Sequence, residues 1–408
     1  MKTIMISILG IVIVLAAMVL ISKDRKAIKK EIIIKALIAQ FIIAFLLVKF
    51  PLGKMVVSKV SDVVTQVLDY GKNGIGFVFG SLGMADAPTG FIFATQVLGN
   101  IVFLSSLVGG LYYLGVLGFI VKVIGKGVGK VLGTSHVESF VAVANMFLGQ
   151  TESPILVSKY LGRMTESEIM VVLVSGMGSM SATIIGGYVA LGIPMEHLLI
   201  ACTLVPMGSI AISKIIYPEI EVTKDIEDVK IDNKAGSENL IEAVTEGAMN
   251  GMASALAIGA SLIAIIGLVS LLNGILAGVG SMLGFDGVSL EKIFSYIFSP
   301  LGYIMGLSGD EALFAGQLLG SKLVLNEFVA FKELGKVIAQ LGDRTSLILS
   351  ISLAGFANIS SMGICIAGIS ALCPEKKNVL SRLVFRAMIG GFVVSLLSAI
   401  IVGIITAI

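Results

Sequence analysis

The feature that most constrains the fold is a series of long apolar runs along the chain. A helix needs about 20 apolar residues to cross a bilayer. Eight runs of roughly this length occur, at residues 4–22, 32–50, 91–121, 168–192, 197–213, 248–275, 345–373 and 384–408. Because backbone groups inside a bilayer must be paired within the protein, these runs favour helices. They predict an all-α polytopic membrane protein with eight transmembrane helices.

The composition excludes several function classes. The chain is 56% hydrophobic and 14% charged, as expected when the bilayer is the solvent, and its net charge of +2 gives no attraction to nucleic acid. Its three cysteines, Cys202, Cys365 and Cys373, lack the spacing of metal ligands, so we expect buried apolar thiols without a disulfide framework.

Basic clusters predict the orientation in the membrane. The first run is followed by "SKDRKAIKKE", which indicates a retained span and not a cleaved signal peptide. Lys and Arg concentrate at residues 23–35, 122–130, 214–234 and 376–386. The positive-inside rule puts these loops in the cytoplasm and both termini outside. Residues 122–133 suggest an interfacial helix, and residues 218–239 a solvated loop.

Two apolar segments are too interrupted to cross the membrane alone and predict re-entrant hairpins. They are residues 134–163, with "GQTESP", and residues 293–335, with "LNEFVAF". Each precedes a span with a small polar interruption, "SGMGSMSATIIGG" (175–187) in the first case and "GFANISSMG" (355–363) in the second. A hairpin followed by a broken helix, occurring twice, is typical of an inverted-repeat transporter with discontinuous helices and a midplane site.

Glu152 and Glu327 are candidate functional residues because a carboxylate at bilayer depth is costly without a partner or a wet cavity. A structural alternative for Glu327 is an ion pair with Lys322 or Lys332. For Glu152 the alternative is a helix N-cap contact beside Pro154, which must break or start a helix.

Small polar residues interrupt the two spans that follow the hairpins. They are Ser179, Ser181, Asn358, Ser360 and Ser361. Such residues often join one helix to another. Here neighbouring glycines, among them Gly178 and Gly355, let the backbone unwind and expose carbonyls that can coordinate a small cation.

Enzyme chemistry is not supported. His136 and His197 lie beside predicted span ends without a triad-like pattern. "GKGVGK" lacks the features of a phosphate loop, and "GLSGD" (306–310) has the form of a nucleophile elbow in the wrong context. We therefore expect a protein that is not an enzyme and needs no cofactor other than a coupling ion.

Several longer motifs carry a resemblance to a known family. They are "FLSSLVGGLYYLG" (103–115), "ESFVAVANMFLGQTESP" (138–154), "IFSPLGYIMG" (297–306), "GSKLVLNEFVAF" (320–331) and "GFANISSMGICIAG" (355–368). In these residues the chain resembles the concentrative nucleoside transporters, specifically the bacterial sodium-coupled type, along nearly its whole length. One departure is Ser308-Gly309, where many relatives have Pro-Trp; it leaves the start of the second hairpin open.

The resemblance implies a homotrimer in a bacterial inner membrane that imports nucleosides of the uridine, cytidine and adenosine class with sodium, by alternating access. It also implies a division of each protomer into scaffold and transport parts. Scaffold helices would occupy residues 1–121 and 248–277, and 214–247 would be a cytoplasmic loop; residues 122–213 and 278–408 would each contribute an interfacial helix, a hairpin and two transport helices.

The resemblance also implies the binding residues. Gln150, Thr151 and Glu152 would hydrogen-bond the base, with Ile184 packed against it. Glu327, Asn358 and Ser361 would bind the ribose hydroxyls, and Phe356 would line the sugar side. Sodium would be held by Asn145, Leu148, Ser179 and Met180. Proton symport through Glu152 or Glu327 is the alternative, and the residues leave the base preference open.

Overall fold

The computed structural model describes residues 2–84, 87–88, 90–221, 237–285 and 287–408. Within these ranges the chain is helical and has no β-strand, which confirms the predicted all-α class. Seven helical stretches of the described residues are long and apolar enough to cross a membrane: Thr3–Leu20, Lys30–Val48, Phe93–Tyr113, Glu166–Ala190, Met195–Ile216, Leu240–Met282 and Pro374–Ala407. The eighth predicted span, 345–373, is divided into two shorter helices.

Six helices form the N-terminal part: α1 (Lys2–Leu20), α2 (Lys30–Val48), α3 (Pro51–Phe79), α4 (Phe93–Gln96), α5 (Leu98–Tyr113) and α6 (Val116–Leu132). The amphipathic helix α3 was not predicted, because its charged residues, among them Asp69 and Lys72, interrupt every apolar run. Helix α6 includes the predicted interfacial helix and begins six residues before it, after Gly115 in a left-handed conformation. Its lysines are exposed, and its buried side packs on α7.

The first hairpin and the helices after it are α7 (His136–Ala144), α8 (Ser153–Leu156), α9 (Ser158–Leu161), α10 (Glu166–Gly178), α11 (Ala182–Ala190) and α12 (Met195–Ile216). Capping boxes start both α7, with Ser135 and Glu138, and α10, with Thr165 and Glu168. Pro154 lies in the first turn of α8, so it starts a helix as predicted.

Helix α13 (Leu240–Met282) has 43 residues and is about 65 Å long, well beyond the thickness of the hydrocarbon core. The predicted span, 248–275, is its apolar middle. Gly247 and Gly251 let α13 approach the backbone of α5 closely. Its outward side exposes large apolar residues such as Leu256 and Ile263. Most of the predicted loop before it, residues 222–236, lies outside the described residues.

The last part contains α14 (Leu290–Ile304), α15 (Asp310–Val324), α16 (Glu327–Val337), α17 (Asp343–Leu353), α18 (Ile359–Leu372) and α19 (Lys377–Ala407). The second hairpin consists of α15 and α16, so it begins at Asp310 and not at residue 293 as predicted. Helix α14 is separate and lies along α15, where Gly316 and Gly320 allow close contact. The "GLSGD" stretch makes the turn between them, with positive φ at Gly306 and Gly309.

Three of the predicted basic loops converge on one face of the bundle. The Lys23 backbone N–H donates to the Ile216 carbonyl over 2.9 Å, and the Lys376 side chain donates to the Met164 carbonyl over 2.7 Å. Glu166 accepts from Arg382 and from the Tyr217 hydroxyl. The hydrogen bond from the Lys23 ammonium to Tyr217 raises the pKa of Lys23.

Candidate functional site

A cavity of about 320 Å³ lies where the two hairpin tips meet the two broken helices. All eight residues predicted to bind substrate line it: Gln150, Thr151, Glu152, Ile184, Glu327, Phe356, Asn358 and Ser361. They come from four separate segments of the chain. The fold therefore brings the predicted set together, in a volume suited to a small ligand.

The first hairpin contributes an amide and a carboxylate. Gln150 is buried, and its side chain donates to the Ser361 hydroxyl over 3.4 Å and accepts from the Cys365 thiol over 3.2 Å. Among the described residues, Glu152 receives two long hydrogen bonds, each 3.5 Å, from the Gly149 N–H and the Ser181 hydroxyl. Although Glu152 precedes α8, its side chain makes no cap hydrogen bond. The carboxylate thus retains acceptor capacity toward the cavity.

Glu327 is the first residue of α16, where the helix N-terminus favours a negative charge. Its two carboxylate oxygens accept from the Tyr188 hydroxyl and from the Asn358 amide, each over 3.1 Å. Among the described residues, no ion pair within 4.0 Å joins it to Lys322 or Lys332. The side chain is therefore held by neutral donors, and the ion-pair alternative is not observed.

Asn358 organises the second broken helix. Its carbonyl oxygen accepts from the Ser361 N–H over 2.9 Å, which caps α18, and from the Ser360 hydroxyl over 2.7 Å. The same side chain reaches Glu327 through its amide nitrogen. Capping therefore fixes Asn358 and Ser361 beside the carboxylate, while Phe356, in the break before α18, supplies an apolar wall.

The residues predicted to bind sodium also lie together and are all buried. The Asn145 amide nitrogen donates to the Ser175 hydroxyl over 2.9 Å and to the Val141 carbonyl over 3.2 Å. This directs the Asn145 oxygen toward the Ser179 hydroxyl, 3.5 Å away. Leu148 and Met180 flank this pair, one in the hairpin tip and the other in the break Ser179–Ser181. The donor set consists of neutral oxygens, which suit a hard monovalent cation.

The two breaks touch each other. The Phe356 N–H donates to the Ser179 carbonyl over 3.2 Å. Gly355 has a φ of +116°, and a Cβ there would lie 2.8 Å from the Gly178 carbonyl oxygen. Only glycine permits this approach without displacement. The second break therefore packs on the first, and Ser179, one of the sodium candidates, contacts Phe356 of the cavity wall.

Sequence reasoning missed several residues of this site. Tyr188, which is fully buried, holds Glu327; it lies in an unremarkable apolar segment that gave no signal. Ser254 and Ser261 line the cavity from α13. They lie seven residues apart in the sequence, which places them on one face of the helix. That spacing was a signal that could have identified them.

A second cavity, of about 420 Å³, adjoins the first and shares Thr151, Glu152, Thr183 and Ser254 with it. It continues past Asn250 and Glu246 toward the end of the bundle where α5 ends and α13 begins. The site is thereby connected to one face of the protein.

Family profiles match nearly the whole chain. Residues 9–82 match the N-terminal profile of the Na⁺ dependent nucleoside transporters, and residues 197–403 match the C-terminal profile. Residues 94–195 match a profile described as nucleoside recognition.

Individual relatives are similar to this chain in sequence along nearly their full lengths. An uncharacterized transporter of Haemophilus influenzae is 40% identical over 403 residues, 97% of this chain and 96% of its own. The nucleoside permease NupC of Helicobacter pylori is 34% identical over 410 residues, 97% of this chain and 96% of its own. A solved structure of CNTnw in an inward-facing substrate-bound state has a TM-score of 0.94 and 38% identity, covering 99% of this chain and 98% of that one.

Proposed function

We propose, because the chain belongs to the concentrative, Na⁺ dependent nucleoside transporter family, that it imports nucleosides in symport with sodium by alternating access. One observation carries this proposal. The hairpin tips and helix breaks of the two repeats form one polar-and-apolar cavity, and Ser179, whose hydroxyl meets the Asn145 oxygen, contacts the cavity-lining Phe356 through its carbonyl.

The cavity suits the chemistry of a nucleoside. Gln150, Thr151 and Glu152 would hydrogen-bond the base edge, and Ile184 would pack against its face. At the other side, the Glu327 carboxylate is a strong acceptor for the vicinal ribose hydroxyls. Asn358 and Ser361 would complete the ribose contacts, and Phe356 would cover the sugar. Uridine, cytidine and adenosine are the expected substrate class.

Sodium would bind between the first hairpin tip and the first break. The Asn145 side-chain oxygen, the Leu148 and Met180 carbonyls, and the hydroxyl and carbonyl of Ser179 would be its ligands. Because Asn145 and Ser179 are already fixed by hydrogen bonds, little rearrangement is needed to bind the ion.

Three further assignments follow from the same family. The chain would assemble as a homotrimer in a bacterial inner membrane, with scaffold helices in residues 1–121 and 248–277 and transport parts in 122–213 and 278–408. Convergence of the basic loops on one face supports a cytoplasmic side with both termini outside. The second cavity would then be the path between the site and the cytoplasm.

Proton symport is the competing function, and one structural observation supports it. Neither Glu152 nor Glu327 has an ion pair among the described residues, so either could carry a proton. Uptake of labelled uridine and adenosine into proteoliposomes, at fixed pH, separates the two. We expect uptake with an inward sodium gradient and little when choline replaces sodium.

The same assay tests the ribose contacts. Free uracil and adenine should compete weakly, because they lack the diol that Glu327 would bind. Sodium-independent uptake driven by a pH gradient would exclude sodium coupling, and inhibition by a free base as strong as by its nucleoside would exclude the role given to Glu327.

A further inference from the structure

Lys322 is a buried cation that the proposed transport cycle does not use. It lies in the last turn of α15, the first arm of the second hairpin, and is 0% exposed. Among the described residues no carboxylate lies within 4.0 Å of its ammonium. Glu327 interacts with it only from beyond this distance, and a buried lysine without a carboxylate in direct contact is costly and needs compensation by other groups.

Oxygen atoms of two neighbouring elements supply this compensation. The Lys322 ammonium donates to the Ser352 carbonyl over 2.9 Å, to the Ala354 carbonyl over 3.2 Å and to the Ser395 hydroxyl over 2.6 Å. Ser395 in turn donates to the Phe392 carbonyl over 3.0 Å, so its hydroxyl oxygen is the acceptor toward Lys322.

This geometry fits a charged lysine. Three acceptors surround the nitrogen, which matches the three N–H groups of an ammonium, whereas a neutral amine has two. The Phe392 ring centroid, 5.5 Å away, adds a cation–π contact. The two carbonyls belong to the C-terminal end of α17, where the helix dipole is negative. The three oxygen acceptors and the Phe392 ring therefore form a cage that suits a positive charge.

The first repeat has its proposed sodium site between the same kinds of element, the end of the first hairpin arm and the start of the break. Asn145 follows the first arm of the first hairpin, and Ser179 opens the first break. Lys322 lies at the end of the first arm of the second hairpin, and the carbonyl of Ala354, which opens the second break, is one of its acceptors. In each repeat, the end of a hairpin arm thus lies beside the start of a broken helix, and in the second repeat Ser395 of α19 adds the third acceptor.

We propose that the Lys322 ammonium is a built-in cation, which holds in the second repeat the position that sodium takes in the first. This inference rests on the proposed function. Lys322 is a positioning residue: it fixes the break Ala354–Asn358, and through it Phe356 and Asn358 at the ribose end of the cavity. Because the second position is permanently filled, the protein couples one sodium ion to each nucleoside.

Two substitutions separate a cation site from simple packing. Lys322→Met fills the volume without charge, and we expect uridine affinity of the purified protein to fall about tenfold or more at every sodium concentration. Lys322→Ala leaves a carbonyl-lined cavity that a second sodium can enter. Its uridine affinity should recover at high sodium, with a Hill coefficient for sodium that rises from about one toward two.

The matched control is Lys336→Met, which removes an exposed lysine on α16 that pairs with Glu333. Its uridine affinity and sodium dependence should equal those of the wild type. Thermal melting of each variant checks that it is folded.

Two variant results would overturn the inference. One is wild-type uridine affinity in folded Lys322→Met, and the other is an unchanged Hill coefficient in folded Lys322→Ala. If neither variant folds, the wild type decides: one sodium bound per uridine supports the inference, and two contradict it. A wild-type protein that binds uridine without any sodium dependence would instead refute the proposed function.

Discussion

The Phe356 backbone N–H donates to the Ser179 carbonyl over 3.2 Å, so one hydrogen bond joins the broken helices of the two repeats. Ser179 belongs to the proposed sodium site, and Phe356 lines the cavity. A shift of the first break on ion binding would therefore be transmitted directly to the cavity wall. This contact gives a physical route for coupling between ion and substrate.

The approach of the two breaks depends on Gly355. Gly355→Ala should lower stability by about 1–3 kcal/mol, because the new Cβ would meet the Gly178 carbonyl and the φ is unfavourable. Melting of the purified protein measures this. Gly363→Ala is the control, since a Cβ there meets nothing within 4 Å in a helix. Equal melting temperatures for the two variants would contradict the described contact.

The sodium assignment predicts a specific loss in Ser179→Ala. Removing the hydroxyl should raise the sodium concentration for half-maximal uridine uptake by about tenfold, while uptake at saturating sodium largely recovers. The control is Ser209→Ala, which removes an equally buried serine whose hydroxyl, in the part of the chain that the structure describes, donates to the Pro206 carbonyl of its own helix. Should both variants keep the wild-type sodium curve, Ser179 is not a ligand.

Tyr188 and Glu327 predict a graded loss of nucleoside binding. Tyr188→Phe removes one neutral hydrogen bond to the carboxylate, so uridine affinity should fall about two- to tenfold. Glu327→Gln removes the charged acceptor itself and should reduce affinity further. Titration calorimetry with uridine and with uracil checks both. A loss for uracil as large as for uridine would place Glu327 away from the ribose.

A buried ion pair supports the base of the first hairpin. The Lys214 ammonium lies 2.6 Å from Glu138, and both side chains are almost fully buried. Glu138→Gln should destabilise the protein by about 1–3 kcal/mol, because it removes the closer carboxylate from the buried lysine and leaves it with Glu219, 3.7 Å away. The exposed pair of Lys336 and Glu333 is the control; Glu333→Gln should change stability by less than about 1 kcal/mol. Melting temperatures of the two variants test the difference.

The elements of the fold that repeat in the sequence were the most predictable. The lengths of the apolar runs located the spans. The small polar residues within two of these runs located both breaks, because a helix interrupted at bilayer depth needs glycine and small polar residues. The start of the second hairpin was misplaced because α14 is itself amphipathic and apolar. Helix α3 was not predicted for the opposite reason: its charged residues, which lie on one side of a helix at the surface, interrupt its apolar runs.

The site residues that could be predicted are those whose burial at bilayer depth costs free energy, whereas residues common in helix packing could not be predicted. Glu152 and Glu327 stand out because carboxylates are rare at bilayer depth. Tyr188 does not stand out, since a buried tyrosine is common in helix packing. The cage around Lys322 could not be predicted, because two of its three acceptors are backbone carbonyls, which have no sequence signature.

The central claim is thermodynamic coupling between sodium and nucleoside, and equilibrium binding to the purified wild-type protein tests it most directly. At constant pH, saturating sodium should tighten uridine binding at least about fivefold, and saturating uridine should tighten sodium binding by the same factor. Uridine affinity that is equal in sodium and in choline, but changes with pH, would contradict sodium coupling and favour a proton.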